Sequence, residues 1–177
     1  VLVQDVLNTP PYVRISRMIR DISATDILVG NKHTNLRQMV EHELAAKDVA
    51  RRVQEIRFRE INQQQVHAAE LTLQDFTYTT AVSDEHFLQW VTADNKIAGF
   101  CRLSLPHWDK LTSGACDVSA DELLVQPGQA MIRELHVYGQ ALSLGSEGMS
   151  AQHQGLGQKL LAKASSIAAE AGYTSLN

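Results

Sequence analysis

The chain has 177 residues, 44% hydrophobic and 20% charged, with a net charge of -4. That length holds one good-sized domain, or one domain plus a piece of another, and the composition is ordinary for a soluble globular protein. No apolar run is long enough to cross a bilayer, no leader with a cleavage site opens the chain, and the acidic balance argues against indiscriminate coating of nucleic acid while leaving room for a local basic patch.

The elements follow in chain order. Pro10 and Pro11 favour an extended start, and Arg14, Arg17 and Arg20 then recur at three-residue spacing. The stretch from Thr34 to Asp48 predicts a helix, capped by Thr34, with Leu36, Met39, Val40 and Leu44 on one face. From Val53 to Ile61, Ile56 and Phe58 alternate with Arg57 and Arg59, a strand pattern. A polar connector follows, and a domain boundary is expected near Asn62. Phe76–Val82 is β-branched and aromatic and predicts a strand. His86 to Leu105 predicts two strands joined as a hairpin at Ala93-Asp94-Asn95. An irregular stretch leads to a strand over Met131–Gly139, then a loop rich in Gly and Ser. Leu156, Leu160, Leu161, Ala164 and Ile167 mark the buried side of a helix that Gly172 can stop. The start at Val1 rather than Met, and the strand-like ending after Gly172, lead to the expectation of a fragment of a longer protein. Cys101 and Cys116 form neither a metal spacing nor a disulfide framework, which points to a reduced, cytoplasmic setting.

The most informative local feature is the order strand, glycine-bearing turn, helix. Gln152-His153-Gln154-Gly155-Leu156-Gly157 opens the last helix. A helix N-terminus offers unpaired N–H groups and the positive end of its dipole, and glycines let a phosphate approach the backbone. No Lys-Ser/Thr follows the second glycine, so this is not a Walker-type loop, and the three-glycine dinucleotide fingerprint is also missing. By itself the turn is equally a helix start that uses glycine for tight packing.

Arg133-Glu134-Leu135-His136-Val137-Tyr138-Gly139 and the turn from Gln152 to Gly157, taken together, resemble the GNAT acetyltransferases and, within them, the Elongator catalytic-subunit family. Arg17–Ser23 resembles that family's Arg-x-x-Arg-Asp-Ile-Pro run, with Ser23 in place of proline. Asn35–Gln38 and Ile56–Ile61 resemble two further family segments, so the likeness runs through nearly the whole chain. The resemblance implies an α/β architecture: residues 63–177 as a GNAT acetyltransferase domain, a mixed sheet with flanking helices, incomplete at its end, preceded over residues 1–62 by the α/β tail of a radical SAM domain. It implies acetyl-CoA as cofactor, with SAM and an iron–sulfur cluster in a part of the parent protein before Val1. The reaction implied is carboxymethylation of carbon 5 of the tRNA wobble uridine. Where the family carries two cysteines near a metal site, this chain has Val53 and Phe58, so no metal is expected there.

By the same resemblance, the main chain of Glu134, Leu135, His136 and Val137 meets the pantetheine arm, and the N–H groups of Gln154, Gly155, Leu156, Gly157 and Gln158 take the pyrophosphate. Glu134, His136 and Tyr138 share one side of their strand and are the candidate catalytic residues. Glu134 or His136 can serve as a base, and Tyr138 can meet the acetyl carbonyl; structural roles are the alternative for each. His153 is read as positioning the loop. Arg14, Arg17 and Arg20, on a helical turn, are the expected tRNA contacts. Arg51, Arg52, Arg57 and Arg59 form a second basic group, with ion pairs to Asp21, Glu55 and Glu60 as the alternative. No membrane partner is expected, and homo-oligomerisation or accessory subunits stay open. Two other functions remain: a GNAT acting on protein or small-molecule amines, and a non-catalytic module that binds acetyl-CoA or RNA.

Overall fold

The β-branched and aromatic runs in the second part of the chain build a mixed sheet. Its described strands are β1 (Thr72–Thr79), β2 (Ser83–Val91), β3 (Ile97–Pro106), β4 (Gln129–Val137) and β5 (Ser175–Leu176), hydrogen-bonded in that spatial order. The first four run antiparallel, and β5 joins β4 in parallel. This computed structural model describes residues 1–18, 24–30, 32–33, 35–47, 49–62, 66–113, 125–138 and 155–177. They divide into two units, Val1–Glu60 and Ile61–Asn177.

In the second unit, β1 begins earlier than its aromatic run predicts and stops at Thr79. The Thr80 hydroxyl receives the N–H groups of Val82 and Ser83 at 3.2 and 3.0 Å and closes a turn where the sequence reads as more strand. The β2–β3 hairpin forms as expected: Thr92 N–H bonds Lys96 O at 2.9 Å, and Asn95 takes the left-handed conformation at φ 66. Strand β3 is central and nearly all buried, with Cys101 and Leu103 inaccessible.

A short helix α4 (Trp108–Thr112) follows β3, and helix α5 (Leu156–Glu170) covers one face of this sheet. Its buried stripe is Leu156, Leu160, Ala164 and Ala168, a run of four-residue steps; the last three pack with Leu88, Cys101, Leu103 and Ala130, and Leu156 packs with Leu71 and Ala98. The expected stripe is corrected at Leu161, which is 38% exposed, because it lies one residue off that row. Gly172, at φ 88, ends the helix: its N–H bonds Ala169 O and Tyr173 N–H bonds Ala168 O, both at 3.0 Å.

The β3–β4 register shifts once. Leu103 faces Ile132, but Arg102 faces Glu134, so Arg133 is an extra residue, a β-bulge. Ile132 packs with the α5 core, and on the other side of the bulge Leu135 and Val137 lie by Gly157 of the same helix. Strict alternation from Ile132 would have put Glu134 and His136 against α5. The bulge instead turns Glu134, His136 and Tyr138 to the opposite face.

The first unit contains helices α1 (Leu2–Asn8), α2 (Leu36–Ala46) and α3 (Ile56–Arg59). Val6, Val40, Leu44 and Val53 form its core, with Phe58 packed against them. Of the face expected for α2, Val40 and Leu44 are buried and Met39 is 43% exposed. The cap expected at Thr34 lies outside the described residues, and the N-cap position is Asn35. Two expectations are corrected. The strand read over Val53–Ile61 is broken by α3, because the Glu55 carboxylate accepts the Phe58 N–H at 2.8 Å and caps a helical turn there. The helical turn expected for Arg14 and Arg17 is absent, since residues 13–17 are irregular.

Candidate functional site

Helix α5 begins at Gly155, whose φ of 67 and ψ of 18 lie in the left-handed region. A Cβ is disfavoured there, which explains glycine at this position. The first intrahelical bond runs from Lys159 N–H to Gly155 O at 3.1 Å. The N–H groups of Leu156, Gly157 and Gln158 therefore have no acceptor within the helix. At Gly157 neither φ nor space demands glycine. A Cβ on it would stand 3.6 Å from Val137 Cγ2 and 3.9 Å from Leu135 Cδ2, ordinary contact distances. The helix start thus lies directly against β4 at the residues singled out from sequence. Gln154 and His153 lie outside the described residues.

The strand offers its main chain in a defined pattern. Tyr138 N–H bonds Ala98 O at 2.9 Å. By the two-residue alternation of an antiparallel ladder, His136 and Glu134 also bond toward β3, and the main-chain groups of Leu135 and Val137 turn away from it. Of the four residues expected to offer main-chain contacts, Leu135 and Val137 are thus the two whose groups are not taken by β3. Gly99 on β3, which sequence reading passed over, explains how closely the strands approach. A Cβ there would meet His136 O at 3.0 Å and Val137 Cγ2 at 3.2 Å. An isolated glycine inside a strand pattern was the available signal.

The bulge gathers the candidate catalytic side chains on one face. His136 and Tyr138 have ring centroids 4.4 Å apart, and Phe100 stacks on His136 at 6.0 Å. Glu134 is ion-paired, its Oε2 2.9 Å from Arg102 Nε. The Arg102 guanidinium in turn lies over the rings of Phe87 and Phe100, at 5.2 and 5.6 Å. Arg102 was not among the residues expected, because only the cross-strand register places it opposite Glu134. The Cys101 thiol is pushed up to about 11 by burial, so it is no nucleophile at neutral pH.

The arginines of the first unit have varied surroundings. Arg14 Nε is 3.1 Å from Glu60 Oε1, and Arg57 donates to Ser16 O at 3.0 Å. Arg17 lies in the irregular segment, and Arg20 and Asp21 are outside the described residues. The second basic group is corrected at Arg59, which is 2% exposed; burial lowers its guanidinium to about 10. Glu55 pairs with Arg37, at 2.9 Å, rather than with any arginine of that group. Val53 is buried in the apolar core, and among the described residues no cluster of His, Cys, Asp or Glu is placed to hold a metal.

The chain is 39% identical over 163 residues to a tRNA uridine(34) acetyltransferase of Dehalococcoides mccartyi, a match that covers 90% of this chain and 33% of that protein. It is 34% identical over 167 residues to Elongator complex protein 3 of Schizosaccharomyces pombe, covering 90% of this chain and 28% of that one. Its structure is similar to that of the Elp3 of the archaeon Methanocaldococcus infernus with an N-terminal deletion. The TM-score is 0.74 at 26% identity, over 96% of this chain and 39% of that one. No family model matches the chain. The chain spans a third or less of the length of these curated relatives.

Proposed function

We propose that this chain, to which Elongator-type homologues align over 90% of its length, supplies the acetyl-CoA-binding and acetyl-CoA-hydrolysing part of an enzyme that carboxymethylates carbon 5 of the tRNA wobble uridine. One observation carries the reading: the N-terminus of α5, opened by a left-handed Gly155, lies against Leu135 and Val137 of β4. The residues fit the cofactor. The N–H groups of Leu156, Gly157 and Gln158 suit a pyrophosphate at the positive end of a helix. The main-chain groups of Leu135 and Val137, turned away from β3, suit an extended amide-bearing arm.

When bound, acetyl-CoA supplies the thioester and its acetyl carbon. Tyr138, beside His136, would orient the carbonyl through its hydroxyl. Glu134 or His136 would take a proton from water as its oxygen adds to the thioester carbon and would return it to the CoA thiolate as the carbon–sulfur bond breaks, with Arg102 fixing the Glu134 carboxylate. Arg14, Arg17 and Arg20 contact tRNA phosphates, and Arg14 must exchange Glu60 for phosphate to do so. No residue of this chain is assigned to SAM or to a cluster: Cys101 is buried, and Cys116 lies outside the described residues.

The test is acetyl-CoA hydrolysis by the full-length protein, with and without tRNA, and by its Gly155→Glu and Gly155→Asn variants. The reading expects tRNA to raise hydrolysis, Gly155→Glu to abolish it and Gly155→Asn to retain it, since Asn tolerates the left-handed region. Hydrolysis that is absent with and without tRNA would overturn the reading. Acetylation of an added amine would then point to an ordinary GNAT, and CoA binding without turnover to a non-catalytic module.

A further inference from the structure

Arg133 opens the motif that led to the site, yet neither its main chain nor its side chain has a part in the ligand contacts above. It is the extra residue of the β4 bulge. Its guanidinium reaches across the sheet to a buried carboxylate: Arg133 Nη1 donates to Glu85 Oε2 at 3.1 Å, with Glu85 only 3% exposed and Arg133 47% exposed. The other oxygen, Glu85 Oε1, accepts the hydroxyls of Ser83 at 2.7 Å and Ser104 at 2.6 Å. The carboxylate is thus held by β2 and β3 and holds β4. A bulge is a place where the ladder is locally disrupted, and the register on either side of it differs by one residue. A slip there would exchange the two faces of β4, sending Glu134 and His136 toward α5 and Leu135 and Val137 away from it.

We propose that Glu85 and Arg133 are positioning residues whose ion pair pins the β4 bulge, and so fixes which main-chain groups and side chains the strand presents to acetyl-CoA. The proposal rests on the acetyl-CoA reading for its ligand, but its mechanical part stands apart from it. Arg133 touches no ligand in this account. It acts through the parity of the strand.

The experiment compares the full-length protein with Arg133→Met, Arg133→Lys and Glu85→Gln by two readouts. The first is the dissociation constant for CoA by calorimetry. The second is hydrogen exchange at the Glu134, His136 and Tyr138 amides, referred to the amides of β2. Arg133→Met and Glu85→Gln are expected to weaken CoA binding by about tenfold. They should speed exchange at these three amides while β2 keeps its protection. Arg133→Lys keeps the charge and is expected to stay within about threefold of the unsubstituted protein. Unchanged exchange at β4, or exchange that rises equally in β2 and β4, would overturn the proposal, the second outcome marking a merely general contribution to stability. If the unsubstituted protein fails to bind CoA, the acetyl-CoA reading falls, and the exchange pattern still decides whether the pair pins the bulge.

Discussion

At Gly155 the backbone conformation, not the space around it, dictates the residue. Among the described residues, the nearest atom outside its chain neighbours to an added Cβ is Gln158 Oε1 at 3.8 Å, yet φ is 67. Gly155→Ala is therefore expected to cost about 1 kcal/mol of stability in thermal melts, through the left-handed penalty alone. Gly155→Glu adds a negative charge where a pyrophosphate would sit and should weaken CoA binding at least about tenfold by calorimetry, with Gly155→Asn near the unsubstituted value. Glu55 is the contrasting case, a fully buried carboxylate that accepts the Ile15 and Phe58 N–H groups and the Arg37 guanidinium. Glu55→Ala strips all of these of their acceptor at once and is expected to cost about 3 kcal/mol, read as a lower urea midpoint at unchanged slope.

Between elements, the decisive contacts are those that set β4 against β3 and α5. Gly99→Ala would press a methyl onto the His136 carbonyl and the Val137 side chain, 3.0 and 3.2 Å away. It is expected to cost about 1–3 kcal/mol and to displace β4 at Val137, which faces α5, so CoA affinity should fall with stability. The helix stripe gives a paired test. Leu160→Ala, at a fully buried position, should cost about 2–5 kcal/mol, whereas Leu161→Ala, off the stripe, should stay within about 0.5 kcal/mol. Equal costs in chemical denaturation would show that the four-residue row does not define the packed face.

For the molecule as a whole, stability has an acid-sensitive component. Hydrogen bonds from His107 and then Thr79 hold the Asp84 carboxyl below its usual 3.8. Because the folded value lies below the unfolded one, the stabilisation is present above the unfolded value and is lost as pH falls through the folded one. Asp84→Asn should lower stability at neutral pH and flatten its slope against pH below about pH 4, so that the two proteins converge in acid. An unchanged acid slope would remove Asp84 from that account.

Local signals in the sequence determined a good deal: the β2–β3 hairpin through its Asp94-Asn95 turn, helices α2 and α5 through their apolar spacing, the stop at Gly172, and the glycine-led helix start beside the Arg133–Gly139 run. Each depends on residues within a turn or two of one another, which is the range over which propensity and periodicity act. Other features were settled by partners distant in the chain. Residues 53–61 alternate like a strand, but Glu55 caps a helical turn there while its carboxylate is held by Ile15 and Arg37. The bulge at Arg133, the pairing of Glu134 with Arg102 and the close passage of β4 over Gly99 all arise from cross-strand register, which one strand's pattern does not contain. The sequence by itself thus determined which residues make the strand, the turn and the helix. Only the tertiary structure decided which face each residue of β4 presents, because that parity is set by one extra residue and the buried carboxylate it reaches.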